Sequence, residues 1–91
     1  MNTVRGHFLV QNRLGLHARA AAKLTQLASK FPCEVTVGHG GQAVNGKSVM
    51  GLLLLCGAKG TELEVEANGD RAEEAVSAIG ELIAGRFGEE D

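Results

Sequence analysis

Thr61-Glu62-Leu63-Glu64-Val65-Glu66-Ala67 is the stretch whose reading decides the fold. Apolar and acidic residues alternate through it without a break. A period of two is that of a β-strand, whose successive side chains point to opposite faces. Leu63, Val65 and Ala67 therefore share one face, and Glu62, Glu64 and Glu66 share the other. Three unpaired glutamates do not tolerate burial, so the sheet has one covered face and one face open to water. Helices must supply the cover.

Downstream, Asn68-Gly69 turns the chain. Asp70 reads as an N-cap, with Glu73 three positions on as in a capping box. A last helix over 71–86 places Ala72, Ala75, Val76, Ile79, Leu82 and Ile83 on its inner face. The acidic end, Gly88-Glu89-Glu90-Asp91, is expected to fray.

Upstream, the pattern repeats with variations. Residues 3–10 alternate, with Val4, Phe8 and Val10 on one side and Thr3, Arg5 and His7 on the other. A helix over 18–30 keeps Ala21, Leu24, Ala28 and Phe31 in helical register, and Pro32 ends it because a residue before proline avoids helical angles. Cys33, Val35 and Val37 mark a second strand, Gly38-His39-Gly40-Gly41 a turn, and Gln42 to Val44 a short returning strand. Ser48 then caps a short helix over 49–55, with Gly57 near its end. The order is β-α-β-β-α-β-α. It predicts a single α+β domain over 1–91, an open-faced two-layer sandwich with a four-stranded antiparallel sheet.

Composition narrows the function. The chain has 91 residues, 44% of them hydrophobic and 22% charged, with a net charge of −2. No basic field recruits nucleic acid, and the absence of Trp and Tyr removes the rings on which single strands stack. Cys33 and Cys56 lack metal-ligand spacing and read as reduced, buried thiols. His7, His17 and His39 do not have the spacing of a zinc module, so neither metal nor other cofactor is expected. The longest apolar run, 49–57, is too short to span a membrane, and no secretory leader is evident at the start. A cytoplasmic monomer is the expectation.

Chemistry concentrates in Gly15-Leu16-His17-Ala18-Arg19. A glycine lets the backbone turn, and a histidine follows at the mouth of an alanine-rich helix. The free N–H groups of a first helical turn suit an anion, phosphate above all, and the Arg19 guanidinium adds a fork of donors. A nucleophile beside an anion cradle points to a histidine that is itself phosphorylated. The short second helix, Val49-Met50-Gly51-Leu52-Leu53-Leu54-Leu55, is apolar nearly all round, so part of it must face solvent and offer a partner surface. A phosphate on Ser48 would sit at that helix end, near Lys47, and set negative charge beside the surface.

Gly15-Leu16-His17-Ala18-Arg19 resembles the active-site motif of the HPr family, the phosphocarriers of the bacterial phosphoenolpyruvate-dependent phosphotransferase system. Gly46-Lys47-Ser48-Val49-Met50-Gly51 resembles the regulatory-serine region of the same family, including its nitrogen-related branch, NPr. The resemblance covers nearly the whole chain. It implies a carrier rather than an enzyme in its own right, with His17 accepting phosphate at Nδ1 from phospho-enzyme I and passing it to an EIIA domain, for sugar uptake or a regulatory relay. It implies that Arg19 steadies the phosphoryl group and that Ser48 is the position modified by HPr kinase/phosphorylase in many members. It further implies that Ala18, Val49, Met50 and Leu53 meet the protein partners. The family commonly has proline after the arginine, where this chain has Ala20. The alternative reading is a docking module switched by phosphorylation of Ser48, with little transfer through His17.

Overall fold

The computed structural model describes residues 2–91. Strand β1 (Thr3–Leu9) leads to helix α1 (Ala18–Ala28), then to strands β2 (Glu34–His39) and β3 (Gln42–Asn45). Helix α2 (Val49–Leu54), strand β4 (Glu62–Asn68) and helix α3 (Ala72–Ala84) follow, and a 3-10 turn over Arg86–Gly88 closes the chain. The sheet is antiparallel, in the order β1-β4-β2-β3. The alternating strand β4 is thus central. It pairs with β1 in the register His7 opposite Glu64, and with β2 in the register Val37 opposite Val65.

The expected two faces are present. Leu63, Val65 and Ala67 are fully buried together with Val35, Val37 and Val10. On the other face the glutamates of β4 meet basic partners from β1, Arg5 Nε to Glu66 at 2.8 Å and His7 Nε2 to Glu64 at 3.1 Å. Helix α3 lies across β1 and β4, and α1 packs against both α2 and α3. Leu24, Ala28, Ile79 and Ile83 close the core from the helical layer.

Several boundaries differ from expectation for local reasons. Helix α1 stops at Ala28, and the amides of Lys30 and Phe31 bond to the Leu27 and Ala28 carbonyls in a tightened final turn; the chain has therefore left the helix before Pro32 acts. Gly38 and His39 belong to β2, so the hairpin turn is Gly40-Gly41 alone. Both have positive φ, 59° and 83°, as a two-residue turn matched to strand twist requires.

Asp70 is not the cap of α3, and no capping box forms with Glu73. The N-cap is Arg71, in the left-handed region at φ 63°, with no side-chain cap bond. Its guanidinium instead bonds to Glu74 at 3.1 Å and stacks 5.0 Å from the centre of the Phe31 ring. Glu73 and Glu74 stand in the first turn, where the helix dipole favours negative charge. Cys33 is buried as expected, but Cys56 is exposed. It follows α2 at φ 51°, taking the left-handed position that ends the helix, ahead of the Gly57 expected there.

The acidic end does not hang free from Gly88 as expected. Phe87 is wholly buried, Arg86 and Phe87 both adopt left-handed angles of 61° and 53°, and the Phe87 carbonyl accepts from Lys23 Nζ at 2.6 Å. The last carbonyl, that of Asp91, accepts from the Arg13 amide at 2.8 Å. The terminal residues are thereby folded back over the start of α1. No helix among the described residues is long and apolar enough to cross a membrane.

Candidate functional site: the start of the first helix

The loop between β1 and α1 is set by Gly15. Its φ is +67°, and a Cβ built there would lie 2.5 Å from the Gly57 carbonyl oxygen. Only glycine combines that angle with so close an approach to another backbone. The Leu16 amide, next in line, donates to the same Gly57 carbonyl at 2.7 Å. The turn is thus clamped onto the segment that follows α2, and His17 leaves it in a fixed direction.

His17 is the N-cap of α1, with extended backbone angles. Its carbonyl accepts the Ala21 amide at 2.8 Å, the first bond of the helix. Its ring fills the usual role of a capping serine or aspartate: Nδ1 accepts the Arg19 backbone N–H at 3.2 Å. The other ring nitrogen, Nε2, meets the carboxylate of Glu89. The imidazole is therefore held at both nitrogens while about a quarter of the side chain stays exposed.

Glu89 is held in turn. Asn12 is fully buried, and its Nδ2 donates to Gly15 O at 2.8 Å and to Glu89 Oε1 at 2.9 Å. Both partners are acceptors, which decides the orientation of the amide. Its Oδ1 has no partner among the described residues. Hydrogen bonding from Asn12, then from His17, holds the Glu89 carboxyl below its ordinary range. Arg13, Leu14 and Arg19 line the same shallow, open depression as His17 and the acidic end. The Arg19 guanidinium makes no hydrogen bond or ion pair among the described residues, and its side chain is exposed.

Of the residues singled out in the sequence, His17, Ala18 and Arg19 come together at this helix start. Ala20 is fully buried in the first turn, and the helix begins without the proline expected there. Ser48 caps α2, its Oγ accepting from the Gly51 amide at 3.1 Å. Met50 is 73% exposed and Val49 and Leu53 are half-buried. Lys47, expected to stabilise a phosphate on Ser48, donates its ammonium to the Phe31 carbonyl at 2.7 Å. The other histidines lie elsewhere, His7 on the open sheet face and His39 beside the hairpin turn.

Sequence reasoning missed Asn12, Leu14, Leu54 and Glu89. Leu14 and Leu54 are 58% and 69% exposed, Leu54 on α2 and Leu14 in the depression that holds His17. A signal for Glu89 was available: Phe87 is one of only three phenylalanines in the chain, and an aromatic two residues before an acidic run argues for anchorage.

The fold and the site together define a small α+β protein that presents a histidine at a helix start, beside the backbone N–H of Arg19 and in one open depression with the Arg19 side chain. Residues 4–85 match the family model described as the phosphorylation site of the PTS HPr component. The chain belongs to the HPr family of phosphocarriers. It is 54% identical over 78 residues to the phosphocarrier protein HPr of Neisseria meningitidis serogroup A, covering 86% of this chain and 88% of that one. It is 38% identical over 89 residues to the phosphocarrier protein NPr of Shewanella violacea, covering 98% of each. A crystal structure of HPr-C-His from Thermoanaerobacter tengcongensis superposes with a TM-score of 0.90 over 100% of both chains at 41% identity. The general role is that of a phosphorelay carrier working through a phosphohistidine, between enzyme I and EIIA, and not that of an enzyme in the ordinary sense.

Proposed function

We propose that His17 is the residue that carries the phosphoryl group, bonded at Nδ1, and that Arg19 steadies it. The observation that carries this reading is the position of Nδ1 at the N-terminus of α1, 3.2 Å from the Arg19 amide. A phosphoryl group on Nδ1 takes over that amide, gains the favourable end of the helix dipole, and lies within the sweep of an uncommitted guanidinium. His7 and His39 lie in strands β1 and β2 and not at a helix start. His7 is engaged by Glu64.

The test is incubation with enzyme I and phosphoenolpyruvate. Wild type, His7→Ala and His39→Ala should each gain one acid-labile, alkali-stable phosphate, and His17→Ala none. A full equivalent of such phosphate on His17→Ala would falsify the assignment.

Two finer elements belong to the same reading. The apolar surface of Ala18, Val49, Met50 and Leu53 receives both donor and acceptor, since one surface of similar affinity for each avoids a trap in either complex. Ser48 is a regulatory position for HPr kinase/phosphorylase. Its place at the start of α2 supports this, because a phosphate there adds charge beside Met50. The higher identity to the relative named HPr than to the one named NPr favours the sugar-linked branch in the cytoplasm. Preferential phosphotransfer to a sugar-type over a nitrogen-type EIIA is the matching measurement.

A further inference from the structure

We propose that Glu89 is a positioning residue for His17: its carboxylate takes the Nε2–H of the ring and so keeps the lone pair on Nδ1, the atom at the mouth of α1. This rests on the reading of His17 as the phosphorylated residue. A neutral imidazole has one N–H and one lone pair, and which nitrogen has which is set by its partners. An ionised carboxylate only accepts, so the nitrogen facing Glu89 must be the donor. The Arg19 backbone N–H only donates, so the nitrogen facing it must hold the lone pair. Two contacts from opposite ends of the chain select the same tautomer.

The carboxylate is built into place and does not lie there by chance of the acidic run. Glu89 Oε1 accepts from a fully buried amide, Asn12 Nδ2, which also grips the carbonyl of the turn residue Gly15. One side chain thus ties together the turn that aims His17 and the group that orients it. Two residues earlier, buried Phe87 anchors the segment. The neighbours Glu90 and Asp91 are exposed, whereas the Glu89 side chain is only 17% exposed.

The consequence for transfer follows from electron and proton balance. The Nδ1 lone pair forms the new N–P bond as the bond between phosphorus and the donor's leaving atom breaks, and that bond's electron pair returns to the donor. The proton stays on Nε2 throughout. The ring becomes positive as the bond forms, and the carboxylate faces that charge. On delivery the N–P electron pair returns to Nδ1, and a neutral imidazole leaves. His17 therefore exchanges no proton with water in either direction.

The experiment is two-bond 1H–15N correlation of the His17 ring in full-length, 15N-labelled protein under alkaline conditions, together with the rate of phosphorylation by phospho-enzyme I. Wild type should show the lone pair on Nδ1 and a ring proton on Nε2 protected from exchange. In Glu89→Ala that proton should be lost to solvent exchange and the ring shifts should move toward those of mixed tautomers. The rate should fall about tenfold, the weight of one charge-assisted hydrogen bond. Glu89→Gln, whose amide oxygen still accepts, should keep the tautomer but remain slower than wild type, and Glu90→Gln should change neither readout. Ring spectra of Glu89→Ala identical to wild type, or a wild-type lone pair on Nε2, overturn the proposal. The ring spectrum needs no phosphate, so it separates this failure from failure of His17 to be the carrier.

Discussion

At Asn12 a single buried amide nitrogen serves two acceptors, and one of them is an acid whose titration the fold alters. The Glu89 carboxyl lies below its ordinary range, first through the Asn12 hydrogen bond and then through His17. The folded protein thus binds that proton less readily than the unfolded chain does. The stabilising contribution is fully present above the ordinary carboxylate pKa and is lost as pH falls through the lower folded value. Asn12→Ala should therefore flatten the fall of stability with acidification in that window, read as a smaller difference between urea midpoints at neutral and acid pH. An unchanged difference would show that Asn12 does not hold the carboxylate. None of this was legible in the sequence. Asn12 lay in no pattern that the sequence singled out, and Glu89 stood in a run of acids expected to fray. Their value comes from a contact between residues 77 apart in sequence.

Helix α2 shows how much an element can conceal. Its residues are apolar at nearly every position, so periodicity gives no facing direction. The expectation that part of it is exposed holds, but which part depends on its seat against α1 and β3. Leu52 is fully buried, whereas Leu54, two positions on, is 69% exposed. Leu52→Ala should lower stability by about 2–5 kcal/mol, as for other buried leucines. Leu54→Ala should stay within about 0.5 kcal/mol while weakening enzyme I or EIIA binding. Urea unfolding and titration calorimetry on the pair measure both. Equal losses of stability would mean that the helix is seated differently. The strands, by contrast, were readable in advance, because a clean period of two leaves only one face that can be buried.

Across the whole molecule, the segment after α3 closes on the start of α1 through Phe87. The ring is fully buried, its carbonyl is held by Lys23, and the residues after it reach Asn12, Arg13 and His17. Phe87→Ala should cost about 3–5 kcal/mol. It should also release residues 88–91, seen as sharpened amide signals there and faster exchange of the Arg13 amide. Retained protection of that amide would show that the tail docks without its anchor. The alternation over 61–67, the alanine-rich helix after His17 and the capped apolar helix after Ser48 were enough to determine an open-faced sandwich and to set His17 and Arg19 at a helix start. Each of those signals is local, carried by the period of side chains or by the turn chemistry of neighbours. The exposed side of α2, the left-handed cap of α3 and the carboxylate on His17 were decided only by the tertiary structure. They depend on which distant surfaces meet, and composition and period have no term for that.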